Sequence, residues 1–124
     1  MKTKIQTLSR SFTGAVCAGA VLLLASRASA QNLFEEDRGS GNIYEFTTNG
    51  VKSTFASSLG SLHGAGLAFN SAGDLFVAAG GNIYEFTNNN GTLSTNITTF
   101  ASGLDSPFGL AFDGSGNLFE GDFV

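Results

Sequence analysis

The word Gly41-Asn-Ile-Tyr-Glu-Phe-Thr47 stands again, letter for letter, at Gly81 to Thr87. Seven residues that mix two aromatics, an isoleucine and one glutamate do not recur by accident in a chain of 124 residues. The echo also widens on both sides of the word. Leu33-Phe34-Glu35 returns as Leu75-Phe76-Val77 and as Leu118-Phe119-Glu120, at separations of 42 and 43. Thr54-Phe55-Ala56-Ser57 returns 45 residues later at Thr99 to Ser102, and Gly66-Leu-Ala-Phe69 returns 43 later at Gly109 to Phe112. Several landmarks therefore share one period of about 40 to 45 residues, the signature of a repeated structural unit. Length differences fall only between landmarks: Arg38 to Gly41 is longer than Gly80-Gly81, and Gly60 to Ala65 is longer than Asp105 to Phe108. Variation confined to gaps marks the gaps as loops.

Within a unit the residues read as strand, turn, strand, turn. Gly-Leu-Ala-Phe alternates with period two and runs into Asn70-Ser-Ala-Gly73 or Asp113-Gly-Ser-Gly116, both tight-turn sequences. Asp74 to Ala79 is the next expected strand, Gly80-Gly81 a hairpin turn, and Asn82 to Thr87 the third strand. In it Ile83 and Glu85 share one face while Tyr84 and Phe86 share the other. Asn88 to Gly91 then turns the chain into a fourth strand, Leu93 to Phe100. Four antiparallel strands in 40 to 45 residues are the dimensions of a β-propeller blade. The expected fold class is all-β, with propeller-type blades in which Tyr44, Phe46, Tyr84 and Phe86 pack between neighbours. Glu45 and Glu85 are expected near an edge, beside a hydrogen-bond partner or solvent.

Gly109-Leu-Ala-Phe-Asp-x-x-Gly-Asn-Leu-Phe-x-x-Asp122, completed by Gly-Asn-Ile-Tyr-Glu-Phe, resembles the NHL-type repeat of secreted bacterial propellers, relatives of the gluconolactonase and streptogramin-lyase superfamily. The resemblance covers residues 31 to 124 and implies the propeller fold. It implies no particular activity, because such repeats occur in enzymes and in proteins without chemistry. The lactonase relatives hold a divalent metal in a central channel with residues from several blades, a set that two blades do not supply.

Residues 1 to 30 read as a helical signal peptide. Lys2, Lys4 and Arg10 precede an apolar run of about 14 residues, Phe12 to Ala25, and Ala28-Ser29-Ala30 predicts cleavage after Ala30. The run falls short of the roughly 18 to 20 residues that span a bilayer, so no membrane span is expected after cleavage. Cys17 lies inside the run and lacks a lipobox before it. The expected location is secreted, periplasmic or at the cell surface.

Cleavage removes the only cysteine and four of the six bases, leaving Arg38 and Lys52 against ten acids. So acidic a chain has no basic surface for nucleic acid. With no disulfide to staple it, stability falls to packing, and every phenylalanine but Phe12 of the twelve lies beyond the leader.

The unit count does not close a ring. A partial blade over 31–58, a full blade over 66–100 and a partial blade over 108–124 make about two blades, an incomplete propeller. The leading expectation is a truncated fragment; assembly with copies of itself to complete the ring, and an open stacked array, are the alternatives.

No residue is assigned a catalytic, cofactor-binding or metal role. His63 is the only histidine and its loop has no histidine counterpart. Asp113, Ser115 and Asn117 have the oxygen spacing of a calcium loop, but Leu118 replaces the sharp-turn glycine and no glutamate stands at position twelve, so a β-turn is expected. Asn90-Gly-Thr92 and Asn96-Ile-Thr98 are formal glycosylation sequons. The functional expectation is an exported, non-catalytic binding or scaffold protein for an unidentified ligand. The alternative is a fragment of a metal-dependent lactonase-like or lyase-like six-bladed enzyme.

Overall fold

The computed structural model describes residues 31–60 and 66–123, and within them every regular element is a β-strand. The leader therefore lies outside the described residues. In chain order the strands are β1 (Leu33–Asp37), β2 (Asn42–Phe46), β3 (Lys52–Ala56), β4 (Leu67–Phe69), β5 (Leu75–Ala79), β6 (Asn82–Phe86), β7 (Asn88–Asn89), β8 (Thr92–Leu93), β9 (Thr98–Ser102), β10 (Pro107–Phe112) and β11 (Leu118–Asp122). They form antiparallel sheets ordered β1-β2-β3, β4-β5-β6-β9 and β10-β11, with β7-β8 as a small separate hairpin.

The two copies of Asn-Ile-Tyr-Glu-Phe are β2 and β6, and each pairs with its predecessor in the same register. Leu33 faces Phe46 as Leu75 faces Phe86, and Glu35 faces Tyr44 as Val77 faces Tyr84. Each also meets its next partner through the same irregularity, after Ile43 in one sheet and after Ile83 in the other. Identical local sequence thus produces identical strand geometry, bulge included.

One expectation is corrected. The last strand of the middle sheet is Thr98–Ser102 rather than Leu93 to Phe100, because Asn88 to Leu93 folds back into the β7-β8 hairpin. In the first sheet the corresponding link is only Thr47 to Val51, closed by the Gly50 amide donating to the Thr47 carbonyl at 2.8 Å. The middle unit has room for a hairpin; the first does not.

Cross-strand pairs project from one face, so Leu75, Val77, Ala79, Tyr84 and Phe86 share a face of the middle sheet, and Phe76, Ala78, Ile83 and Glu85 share the other. Both faces are apolar and both are covered. On the first, Leu75, Val77, Ala79 and Phe86 form the main core with Ile43, Ala56 and Leu59 of the first unit. On the second, Phe76, Ala78 and Ile83 are buried and Phe112 of β10 lies on Phe76, with ring centroids 5.0 Å apart.

The phenylalanines make the joints repetitive. Phe34 of β1 meets Phe55 of β3 edge-on at 5.2 Å and Phe69 of the next unit at 5.7 Å. Phe76 of β5 meets Phe100 of β9 edge-on at 5.1 Å and Phe112 of the next unit at 5.0 Å. Each ring pair contributes about 0.5–1.5 kcal/mol beyond the area that it buries. The first and middle units therefore each place this phenylalanine between their own last strand and the first strand of the unit that follows.

Tyr44 and Phe46 depart from the expected packing between neighbours. They are half-buried, and their cover is Lys52, whose Nζ stands 3.6 Å from the Tyr44 ring centroid and 5.4 Å from that of Phe46. The same ammonium lies 3.7 Å from Glu35. The long aliphatic stem of a lysine can shield aromatic faces while its charge stays in water.

Candidate functional site

The first and middle units leave a cleft of about 560 Å³ between them, beneath the β7-β8 hairpin. Its apolar lining is Leu93 of the hairpin and three rings placed by the repeat, Phe34, Phe55 and Phe69. Its polar lining comes from the ends of the strands and from the hairpin, with Asn32, Glu45, Asn70, Asn88 and Thr92 prominent. Among the described residues, no Lys or Arg lines the cleft.

The hairpin is fastened to the turn between β4 and β5. Asn70 Oδ1 accepts from the Ala72 and Asp74 amides, both at 2.9 Å, which closes the turn. Asp74 then reaches in two directions, its Oδ2 accepting from Asn70 Nδ2 at 2.8 Å and its Oδ1 from the Asn88 amide at 2.7 Å. Asn88 donates from Nδ2 to the Ala72 carbonyl at 2.8 Å and accepts on Oδ1 from the Gly91 amide at 2.9 Å. One asparagine thus ties the base of the hairpin to the turn and shapes its tip.

That approach depends on Gly73. Its φ is +86°, and a Cβ there would lie 2.7 Å from Asn88 Nδ2. Gly73→Ala is expected to cost about 1–2 kcal/mol through the left-handed backbone and to release the hairpin. Faster amide hydrogen exchange at Gly91, with slow exchange kept at Val77, will register the loss.

Of the residues singled out in the sequence, Glu45 falls at the cleft, where its Oε1 accepts from Asn32 Nδ2 at 2.6 Å. Glu85 projects from the opposite face of the middle sheet, with Phe76 beside it on the neighbouring strand. The structure does not bring the two glutamates together. His63 lies outside the described residues.

The Asp113 turn is built like the Asn70 turn. Asp113 Oδ1 accepts from the Ser115 and Asn117 amides at 2.9 and 2.8 Å, and Oδ2 accepts from Asn117 Nδ2 at 2.7 Å. Both carboxylate oxygens are occupied by the turn. These bonds, the Asn117 side chain first, hold the Asp113 carboxyl below its usual range. Among the described residues, no three His, Cys, Asp or Glu side chains cluster as a metal site.

Glu120 behaves in the opposite way. It takes the place in β11 that Val77 has in β5, and burial, followed by the nearby Asp122 charge, raises its pKa. Its Oε1 is enclosed and, among the described residues, has no hydrogen-bond partner.

The cleft was not legible in the sequence because Asn88 to Gly91 reads as a single turn and Leu93 as the start of the fourth strand, whereas Asn88 to Leu93 forms a separate hairpin. The clue was the link from Phe46 to Lys52, five residues against the eleven between Phe86 and Thr98. Comparison with protein-family models, with curated proteins and with solved structures gave no match.

Proposed function

We propose that the chain is an exported, non-catalytic repeat protein of β-propeller-type units that works by binding, its ligand held in the cleft beneath the β7-β8 hairpin. The observation that carries this reading is the cleft itself: a ring-lined floor, a rim of amides and hydroxyls with the Glu45 carboxylate, and a volume of about 560 Å³. Small-molecule sites combine an apolar lining with a few fixed polar groups in this range of volume. Among the described residues the lining has no Lys or Arg, which disfavours anions, and its one carboxylate, Glu45, is held by Asn32, which leaves a small neutral ligand as the best fit.

The local chemistry supports binding over turnover. Asp74 is engaged through both oxygens, and Glu45 is held by Asn32. The propeller reading draws on the repeated sheet order, the shared register and the two phenylalanine joints. Export draws on the leader sequence alone.

Saturation-transfer NMR with a panel of neutral sugars and polyols tests the binding reading. Transfer is expected with the native protein and at least a tenfold weaker signal with Phe69→Ala. Equilibrium dialysis against calcium and zinc, with an assay of lactone opening, tests the competing enzyme reading. Metal retention together with lactone opening would replace binding by catalysis.

A further inference from the structure

We infer that copies of this chain join head to tail, the outer face of the β10-β11 sheet of one copy seating on the outer face of the β1-β2-β3 sheet of the next. The inference rests on the reading of the units as stacking modules, and the chain displays the joint twice. Phe34 and Phe76 are each covered by the unit that follows. Phe119 is their counterpart in β11, and it remains 58 % exposed. By alternation, Phe112, which touches Phe76, and Phe119 project from opposite faces of this sheet. The Phe119 face, with Ala111, Gly109 and Gly121, has no covering unit among the described residues.

The other end of the stack offers the matching surface in part; among the described residues it has no first strand to supply a counterpart of Phe69 or Phe112. Leu33, Tyr44 and Phe46 repeat Leu75, Tyr84 and Phe86 in type and register. In the internal joint Leu75 and Phe86 are fully enclosed, and Phe86 receives Phe55 at 5.1 Å. Leu33, by contrast, is 64 % exposed. A face that covers Phe34 inside the chain is thus presented again at its outer end.

One residue makes the external joint weaker than the internal ones. Glu35 occupies the place of Val77, which has no exposed surface, and Lys52 pairs with it at 3.7 Å. Seating a second copy draws that ion pair out of water, where the cost of desolvation offsets its attraction. The joint is therefore reversible. Because its two surfaces differ, it is heterologous, closing into a ring or running on as a filament according to the rotation per copy.

Sedimentation velocity across a concentration series tests the joint. The native protein is expected to associate, with Phe119→Ser and Leu33→Ser each weakening association at least tenfold. Glu35→Val is expected to tighten it at least tenfold, since it restores the residue of the internal joint. A native protein that stays monomeric at all concentrations overturns the inference, as does association that depends on Phe119 but ignores Leu33 and Glu35, the mark of a symmetric contact between two Phe119 faces. Phe76→Ser separates this failure from that of the module reading: if Phe76→Ser leaves thermal stability unchanged, the internal joint is itself wrong.

Discussion

Phe86→Ala is expected to remove about 3–5 kcal/mol of folding stability, the range for deleting an enclosed aromatic ring. Domains of this size have about 5–15 kcal/mol in total, so the variant will lose a large share of its stability. Phe86 has no exposed surface, lies opposite Leu75, and receives Phe55 from the first unit. Its loss opens a cavity in the main core, and the flanking strands cannot close in without breaking their register. Urea denaturation followed by far-ultraviolet circular dichroism measures the change. Phe46→Ala supplies the internal comparison, because the same residue of the repeated word sits at the end of the stack, half-buried beneath Lys52. A loss for Phe46→Ala equal to that for Phe86→Ala would contradict the assignment of the core to the joint between the first and middle units.

Gly66→Ala is expected to cost about 3 kcal/mol, the upper end of the range for overpacking, while Gly109→Ala changes stability by no more than about 0.5 kcal/mol. The two glycines open the same motif, Gly-Leu-Ala-Phe. A Cβ on Gly66 would lie 2.6 Å from the Leu110 amide nitrogen and 3.0 Å from the Phe108 carbonyl oxygen, both backbone atoms, whereas a Cβ on Gly109 meets nothing within 4 Å. Backbone cannot rotate aside as a side chain can. The Gly66 carbonyl also accepts from the Ala78 amide at 3.0 Å, which fixes its position from the other side. Thermal denaturation of the pair will decide whether the first strands of successive units approach so closely. Equal behaviour of the two variants would show that they do not.

The two turns between first and second strands carry the repeat in a different way. Asn70 and Asp113 do the same work, each accepting from two amides of its own turn. Only Asp113 adds a charge, and its depressed pKa gives its contribution a sign. The bonds to the carboxylate are complete above the ordinary value of 3.8 and are lost as pH falls through the lower folded value. Glu120, with its raised pKa, acts in reverse, since its enclosed carboxyl is better tolerated protonated and gains stability as pH falls.

The asymmetry between the two ends of the stack joins these energetics to function. Repeat proteins need outer faces that water tolerates, and the first unit meets that need with Glu35 and Lys52 above Tyr44 and Phe46. Among the described residues, the opposite end has no such cover. Phe108, Phe119 and Phe123 are all about half exposed or more, and Phe108 leans on Phe123 at 5.7 Å. Exposed rings of this kind mark a docking surface or an aggregation hazard, and the association experiment distinguishes the two.

The positions of the strands around the repeated words, their face alternation and the repeating unit were determined by the sequence alone. Leu75-Phe76-Val77 can place its side chains only on alternate sides of an extended backbone, and two identical words in the same setting adopt one geometry. Those are local constraints, enforced by neighbours along the chain. Tertiary structure alone decided which of two identical residues is enclosed, that Asn88 to Leu93 folds into a hairpin anchored on Asp74, and that three rings from two units line one cleft. Each outcome turns on groups brought together from distant parts of the chain. Phe46 and Phe86 differ only in what covers them, and no pattern read within their own strands contains that neighbour.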